Sequence, residues 1–207
     1  MARGEEYAQG VNTAAQPQES LQRESWRRAL SVFVSPRPVF AAVRRETSEE
    51  AEAEQEPVLA IILLAGIAGV IGTSFAGSVL DNPGYDGLAV AVWAFLGGGF
   101  YGLLVYWLGG LMVHAVVRGL GGTTSYRQAR HVVGLAAAPL AASLLLVWPL
   151  RIAIYGGDLF RSGGSDSGLG DQVFVGLVAA SYVWAFVLVV LGVLELRKRS
   201  SSLPGIS

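Results

Sequence analysis

The chain has no cysteine and only two histidines among its 207 residues. The lack of cysteine excludes disulfides, thiolate catalysis and cysteine-ligated metal sites. The sequence also has no HExxH motif, no Ser/His/Asp set and no pair of carboxylates within an apolar run. An intramembrane enzyme would need a nucleophile or a metal site that these residues do not provide. We therefore predict a protein that is not an enzyme and that holds no cofactor or metal.

Charge is scarce as well, and it is segregated. Charged residues make up 15% of the sequence and hydrophobic residues 52%, with a mean hydropathy of +0.48. A soluble protein of this size needs more charge to cover its surface. Ten of the sixteen acidic and seven of the fifteen basic residues precede Pro57. This layout is typical of a membrane protein with a cytosolic tail. The net charge of −1 gives no indication of nucleic-acid binding.

Four apolar segments are each long enough to cross about 30 Å of hydrocarbon at about 1.5 Å per residue. They are predicted at about residues 58–80, 88–117, 131–155 and 172–196. The second segment could instead be a hairpin broken at the glycines 97–99. Each half would then be too short to cross, so a single tilted helix is favoured. The predicted fold is all-α, a polytopic membrane helix bundle with four transmembrane helices and an N-terminal amphipathic helical segment.

The positive-inside rule supports this count and orients the chain. With a cytoplasmic N-terminus, the outer flanks carry only Arg151 and Arg161. The inner flanks carry Arg44, Arg45, Arg118, Arg127, Arg130, Arg197, Lys198 and Arg199. Much Ala, Gly and Arg beside a single Lys is typical of a GC-rich bacterial genome. We therefore predict a multi-pass protein of the bacterial cytoplasmic (inner) membrane with both termini in the cytoplasm.

The region before the first apolar segment is predicted to be cytosolic or interfacial. Residues 1–20 are polar and predicted to be a disordered tail, and the acidic run within residues 46–56 a solvated linker. Between them, residues 21–45 show an amphipathic helical pattern in which Ser35 can cap a second short helix. Its apolar face can lie among lipid headgroups or pack on the bundle, and both alternatives stay open. The interfacial or partner-binding candidates here are Trp26, Phe33, Pro36 and Phe40. At the other end, residues 200–207 are predicted to be a C-terminal tail.

Small residues recur at helical spacing in every apolar segment, which allows close helix approach in lipid. Gly98 and Gly102 form a GxxxG pair in the second segment. The other stripes are Ala65, Gly69, Thr73 and Gly77 in the first segment, Gly134, Ala138 and Ala142 in the third, and Gly176 and Ala180 in the fourth. Pro139 cannot donate to the carbonyl of Leu135, so the third helix is predicted to be kinked or thinned there. The pattern of small residues predicts tight helix packing within the bundle, and it also allows a homo-oligomer or contact with another membrane protein. The alternative interpretation is that the small residues line a translocation path.

Several charged side chains stand near the predicted membrane boundaries. His114 and Arg118 are four residues apart and could bind a phosphate, although snorkelling to the interface is the commoner reason for such a pair. Arg151 is interpreted as an interfacial anchor that could pair with Asp158, and Glu195 as a surface residue. A basic rim that would attract anionic lipid is predicted at Arg118, Arg127, Arg130 and His131.

Two stretches of the chain resemble a known family. Residues 33–43 (FVSPRPVFAAV) resemble the segment that precedes the first apolar helix in bacterial Yip1-domain proteins. Residues 119–128 (GLGGTTSYRQ) and 133–139 (VGLAAAP) resemble the block between the second and third helices of that family. Members commonly have five spans, against the four predicted here.

The resemblance implies a membrane fold and a membrane location. The eukaryotic members of the Yip1 family are membrane adaptors in vesicle traffic that associate with small GTPases. The apolar spans without charged residues at their centres, together with the amphipathic, charged N-terminal region, favour a non-enzymatic membrane adaptor or scaffold of Yip1-like type, with residues 58–199 as the Yip1-like transmembrane domain. The alternative is a small permease or an accessory subunit of a membrane transporter.

Overall fold

The computed structural model describes residues 23, 26–45, 55–73, 87–156, 159 and 168–198. These residues form helices and connecting turns, with no strand among them. Residues 26–31 are helical and lead through a turn into the first numbered helix. The helices are α1 (Pro36–Arg45), α2 (Gln55–Ile71), α3 (Gly87–Gly119), α4 (Tyr126–Ala136), α5 (Ala138–Tyr155) and α6 (Leu169–Arg197).

Three helical stretches of the described chain are long and apolar enough to cross a membrane. They are Ala91–Gly119, Tyr126–Tyr155 and Gly170–Arg197, and an apolar window of 18 residues within each has a mean hydropathy of 1.7, 2.0 and 2.5, respectively. α2 is a shorter apolar helix of 17 residues. Large apolar side chains such as Phe100 and Phe186 are exposed on α3 and α6, as expected of surfaces that face lipid. The described part of the chain is therefore all-helical, and the protein is a multi-pass membrane protein.

α3 is one helix of 33 residues that runs unbroken through the consecutive glycines 97–99. The predicted single helix is confirmed, and the hairpin alternative is wrong. α3 packs along α2 with the two backbones in contact. A Cβ added at Gly66 would lie 2.1 Å from the Gly98 carbonyl oxygen and 2.8 Å from the Gly102 Cα. Only residues without side chains permit this approach, so glycine is required on both helices.

The third predicted span is divided at Ala137, where α4 ends and α5 begins. Pro139, in the first turn of α5, has no N–H for the carbonyl of Leu135. The interruption is local, because the Ala137 N–H donates to the Val133 carbonyl at 3.1 Å and the Ala141 N–H donates to the Ala137 carbonyl at 3.2 Å. The hydrogen-bond ladder therefore resumes on both sides of the break.

α4 and α5 form the centre of the bundle. α4 packs against α3 and α6, α5 packs against α2 and α6, and α1 lies against α6 and α4. A Cβ at Gly192 of α6 would lie 2.2 Å from Val132 Cγ1 of α4, so this glycine sets the distance between the two helices. Gly176, from the stripe predicted on the fourth segment, does not set a distance between helices, since nothing lies within 4 Å of a Cβ added there.

Several predictions concern residues outside the described ranges. They are the tail at 1–20, most of the acidic linker, the first span beyond residue 73, the loop that contains Asp158 and the tail at 200–207. These stay predictions, as do the domain boundaries.

Candidate functional site at the basic end of the bundle

The loop between α3 and α4 begins with a glycine pair that ends α3. Gly121 has a φ of +79°, in the region that favours glycine. Its N–H donates to the Arg118 carbonyl at 3.0 Å, and the Gly122 N–H donates to the Val117 carbonyl at 2.9 Å. These are the two bonds of a Schellman motif. A Cβ at Gly122 would also lie 3.1 Å from the Cα of Arg197, so this loop lies against the end of α6.

α4 begins immediately after this loop because Ser125 and Gln128 form a capping box. The Ser125 Oγ accepts from the Gln128 N–H at 3.2 Å, and the Gln128 Oε1 accepts from the Ser125 N–H at 3.0 Å. The cap starts the helix at Tyr126, five residues before the predicted span at 131. The residues directly before the predicted span therefore form the first turn of α4.

The same glutamine joins α4 to α1. Its Nε2 donates to the Arg44 carbonyl at 2.9 Å. The Arg44 side chain in turn reaches α6, where its guanidinium donates to the carbonyls of Glu195 and Lys198, each at 3.3 Å. Beneath these bonds, one side of α1 is buried in the core through Val39, Phe40 and Val43. α1 is thus attached to the bundle by both apolar burial and hydrogen bonds.

Glu195 is not the surface residue that the sequence predicts. Its side chain is only 7% exposed, and its carboxylate accepts from the Lys198 Nζ. α1 covers this part of α6, which explains the burial. A buried carboxylate needs a charged or hydrogen-bonding partner, and Lys198, one turn further on, supplies it.

Arg130 lies among three aromatic rings from α3 and α4. Its guanidinium carbon is 4.8 Å from the ring centroid of Trp107, 4.9 Å from that of Tyr126 and 5.4 Å from that of Tyr106. Gly110 makes room for this side chain, because a Cβ there would lie 2.3 Å from the Arg130 Cγ. Cation–π contacts of this kind stabilise a cation most where water is excluded.

The predicted basic rim is therefore not uniform. Arg118 is exposed at the end of α3, Arg127 is half-buried, and His131 is buried in the core. Including His131 in a surface rim was wrong. The ring of His114 meets Tyr126 edge to face at 6.2 Å between centroids, while the Arg118 side chain lies at the surface. Among the described residues, no three histidine or acidic side chains are placed to hold a metal ion.

The N-terminal candidates divide into inward-facing and exposed side chains. Phe40 is fully buried, Phe33 packs against the core, and Pro36 is the half-buried first residue of α1. Trp26 is 39% exposed, and two apolar neighbours that were not among the candidates, Leu30 and Val34, are 65% and 86% exposed. We call Trp26, Leu30 and Val34 the apolar strip.

Arg151 lies at the far end of the bundle and pairs with Asp171 of α6. Its Nε donates to the Asp171 Oδ1 at 2.9 Å, and the two side chains are 13% and 14% exposed. Its guanidinium also lies over the Trp148 ring, at 5.4 Å from the centroid. The suggested partner Asp158 is outside the described residues, so that pairing stays a prediction.

A family model described as Yip1 domain matches residues 30–206. The chain belongs to the Yip1 domain family. The match includes all six numbered helices and both stretches whose resemblance to the family was noted in the sequence. No curated protein and no solved structure matches the chain.

In this Yip1 domain a hydrogen bond joins one family stretch to the residue that directly follows the other. Residues 33–43 end next to Arg44, and residues 119–128 end with Gln128, which donates to the Arg44 carbonyl. Sequence reasoning missed Gln128 as a site residue. The signal was present, since a Ser followed three residues later by Gln is the sequence signature of a capping box.

Proposed function

We propose that this Yip1 domain protein is a non-enzymatic adaptor or scaffold of the bacterial cytoplasmic membrane. In this proposal the helix bundle is the anchor, and the N-terminal segment ending in α1 presents a binding surface to another membrane protein. The family match and the spanning helices support the membrane part of the proposal.

The observation that carries the adaptor role is the apolar strip on a segment held against the bundle. Ala29, Val32 and Phe40 of this segment are buried, so the segment is already docked by its opposite side. The apolar strip is left exposed beside Arg27, on the segment that leads into α1. Exposed apolar side chains near arginines are common in protein interfaces.

The proposed topology has four transmembrane helices, with α2 and the residues after it as the first. Both termini would be cytoplasmic, since α1, the loop at 120–125 and the end of α6 lie together at the basic end. Because the chain has no cysteine, single cysteines report this directly. Thr123→Cys should be labelled by an impermeant maleimide only after the membrane is opened, and Gly168→Cys in intact cells. The reverse result would refute the orientation.

Partner binding can be tested with a photo-crosslinking amino acid at Leu30 in native membranes. The expected result is a discrete protein adduct that Trp26→Glu abolishes. A crosslinker at Leu120, another exposed apolar residue at this end, is the matched control and should not give the same adduct. If the crosslinker at position 30 gave lipid adducts and no protein adduct, the apolar strip would lie among lipid headgroups. That result would contradict the adaptor role.

The permease alternative gains no support from the residues around Pro139. Leu135, Ala136, Ala138 and Ala141 are all buried there. A break lined by packed apolar side chains is explained by helix packing, and these residues offer no polar path for a substrate.

A further inference from the structure

A cleft of about 430 Å³ opens at the basic end of the bundle, between α1 and the end of α6. Its lining residues are Arg37, Leu191, Leu194, Glu195, Arg197 and Lys198. Arg37 is on α1 and the other five are on α6 or directly follow it. The cleft is thus built by the docking of α1, and it is separate from the apolar strip.

The charge of the cleft favours an anion. Arg37, Arg197 and Lys198 are exposed cations, and Glu195 is the one acid among the lining residues. The Glu195 carboxylate is buried and bonded to Lys198, so it does not oppose a negative group at the two arginines. Formally three positive charges and one negative charge leave the lining with a net charge of +2. A phosphate with bidentate access to arginine fits this arrangement.

The cleft is also apolar on one side, which a free phosphate would not require. Leu191, Leu194 and Lys198 are spaced three and four residues apart and so share one face of the helix. From Leu191 to Lys198 this face changes from apolar to cationic over roughly 10 Å. Leu194 is 47% exposed, so the leucine side is open to the surroundings. The order matches the change from acyl chain to headgroup along a phospholipid.

We propose that this cleft binds one anionic phospholipid, with the phosphate at Arg37 and Arg197 and the upper acyl chain along Leu191 and Leu194. The site rests on the placement of α6 in a membrane but not on the proposed adaptor role. It is formed only when α1 is docked, so the bound lipid would also hold α1 against α6.

The test is a titration of the purified full-length protein in mild detergent with phosphatidylglycerol, read by native mass spectrometry. One lipid should bind with clear preference over phosphatidylcholine. Each of Arg37→Gln and Arg197→Gln should weaken binding about fivefold, and the double variant about twenty-five-fold. Both side chains are exposed, so these substitutions leave the core intact.

Arg118→Gln is the matched control, because it removes one exposed charge from the same end without touching the cleft. Unchanged binding in this variant supports a defined site. An equal loss in all three single variants would show diffuse attraction and overturn the proposal. Equal binding of phosphatidylcholine, or displacement of the lipid by glycerol phosphate at similar concentration, would overturn it too. The protein adduct from the photo-crosslinker at Leu30 tests the adaptor role separately, since Leu30 is outside the cleft.

Discussion

The Gln128 side chain donates to the backbone carbonyl of Arg44 at 2.9 Å and so joins two parts of the chain that are 84 residues apart. The same side chain accepts from the Ser125 N–H to cap α4. One residue therefore serves two functions, starting a helix and holding α1 on the bundle.

These two functions can be separated by substitution. Gln128→Glu keeps an oxygen for the Ser125 N–H but has no N–H for the Arg44 carbonyl. We expect it to cost about 1 kcal/mol locally, which is about a fivefold rise in amide exchange across residues 36–45. Exchange in α4 should be unchanged. Gln128→Ala loses both bonds and should lower the free energy of unfolding by about 1–2 kcal/mol.

Gln172→Ala is the control for both variants, since it removes an exposed glutamine from the first turns of α6. It should change neither exchange in α1 nor unfolding. Equal exchange of residues 36–45 in wild type and Gln128→Glu would mean that α1 is held by apolar burial alone.

Adjacent glycines of α3 should respond differently to the same substitution. Gly98→Ala places a methyl group 2.5 Å from the Cα of Ile67, and we expect destabilisation by about 1–3 kcal/mol. Gly97→Ala meets nothing within 4 Å and should be neutral or stabilising by up to about 1 kcal/mol. Unfolding in mild detergent, followed by circular dichroism, measures both. Similar effects at the two positions would contradict the close contact of α2 with α3.

The pair of Arg151 and Asp171 should show energetic coupling between α5 and α6. Either alanine substitution leaves the other charge largely buried and should cost about 3 kcal/mol. The double variant should cost less than the sum of the two, with a coupling of about 1–3 kcal/mol. Unfolding of the wild type, the two single variants and the double variant in the same detergent gives this coupling energy as a double-mutant cycle. Strict additivity would show that the contact contributes nothing.

The aromatic surroundings of Arg130 predict a contrast with Arg118. Arg130→Gln removes the cation from three rings and should reduce stability by about 1–2 kcal/mol. Arg118→Gln removes an exposed charge and should change it by less than about 0.5 kcal/mol. The two variants have the same net charge, so the midpoints of their thermal unfolding can be compared directly. Identical midpoints would argue that the rings contribute only apolar packing.

The family and the membrane-helix character of the chain could be predicted from the sequence, because both depend on patterns of residues that are close together in the chain. Apolar length identifies the membrane helices, and short motifs identify the Yip1 domain. The GxxxG pair in α3 likewise identified a face capable of close contact. The partner glycine on α2 is Gly66, which the predicted stripe through Ala65 and Gly69 omits. Repeat spacing alone does not determine helix rotation, so it could not select the contacting residue.

Long-range contacts explain the other errors. Glu195 and His131 were assigned to surfaces because each lies near a cluster of basic residues in the sequence. Both are buried, Glu195 where α1 covers α6 and His131 where α4 enters the core. The cleft beside Arg37 was not predicted either, since its walls are separated by more than 150 residues. Such sites depend on which helices touch, and local spacing patterns in a single sequence do not show that.

The bond from Arg44 to Glu195 spans 151 residues, from the first numbered helix to the last numbered helix. At about 5–20 residues per second, translation takes roughly 8–30 seconds to cover that distance. During this interval Val39, Phe40 and Val43 have no finished surface on α6 to cover them. A nascent chain that still lacks α6 therefore displays an apolar face that is concealed once α6 is present, and docking of α1 reports that α6 has been made.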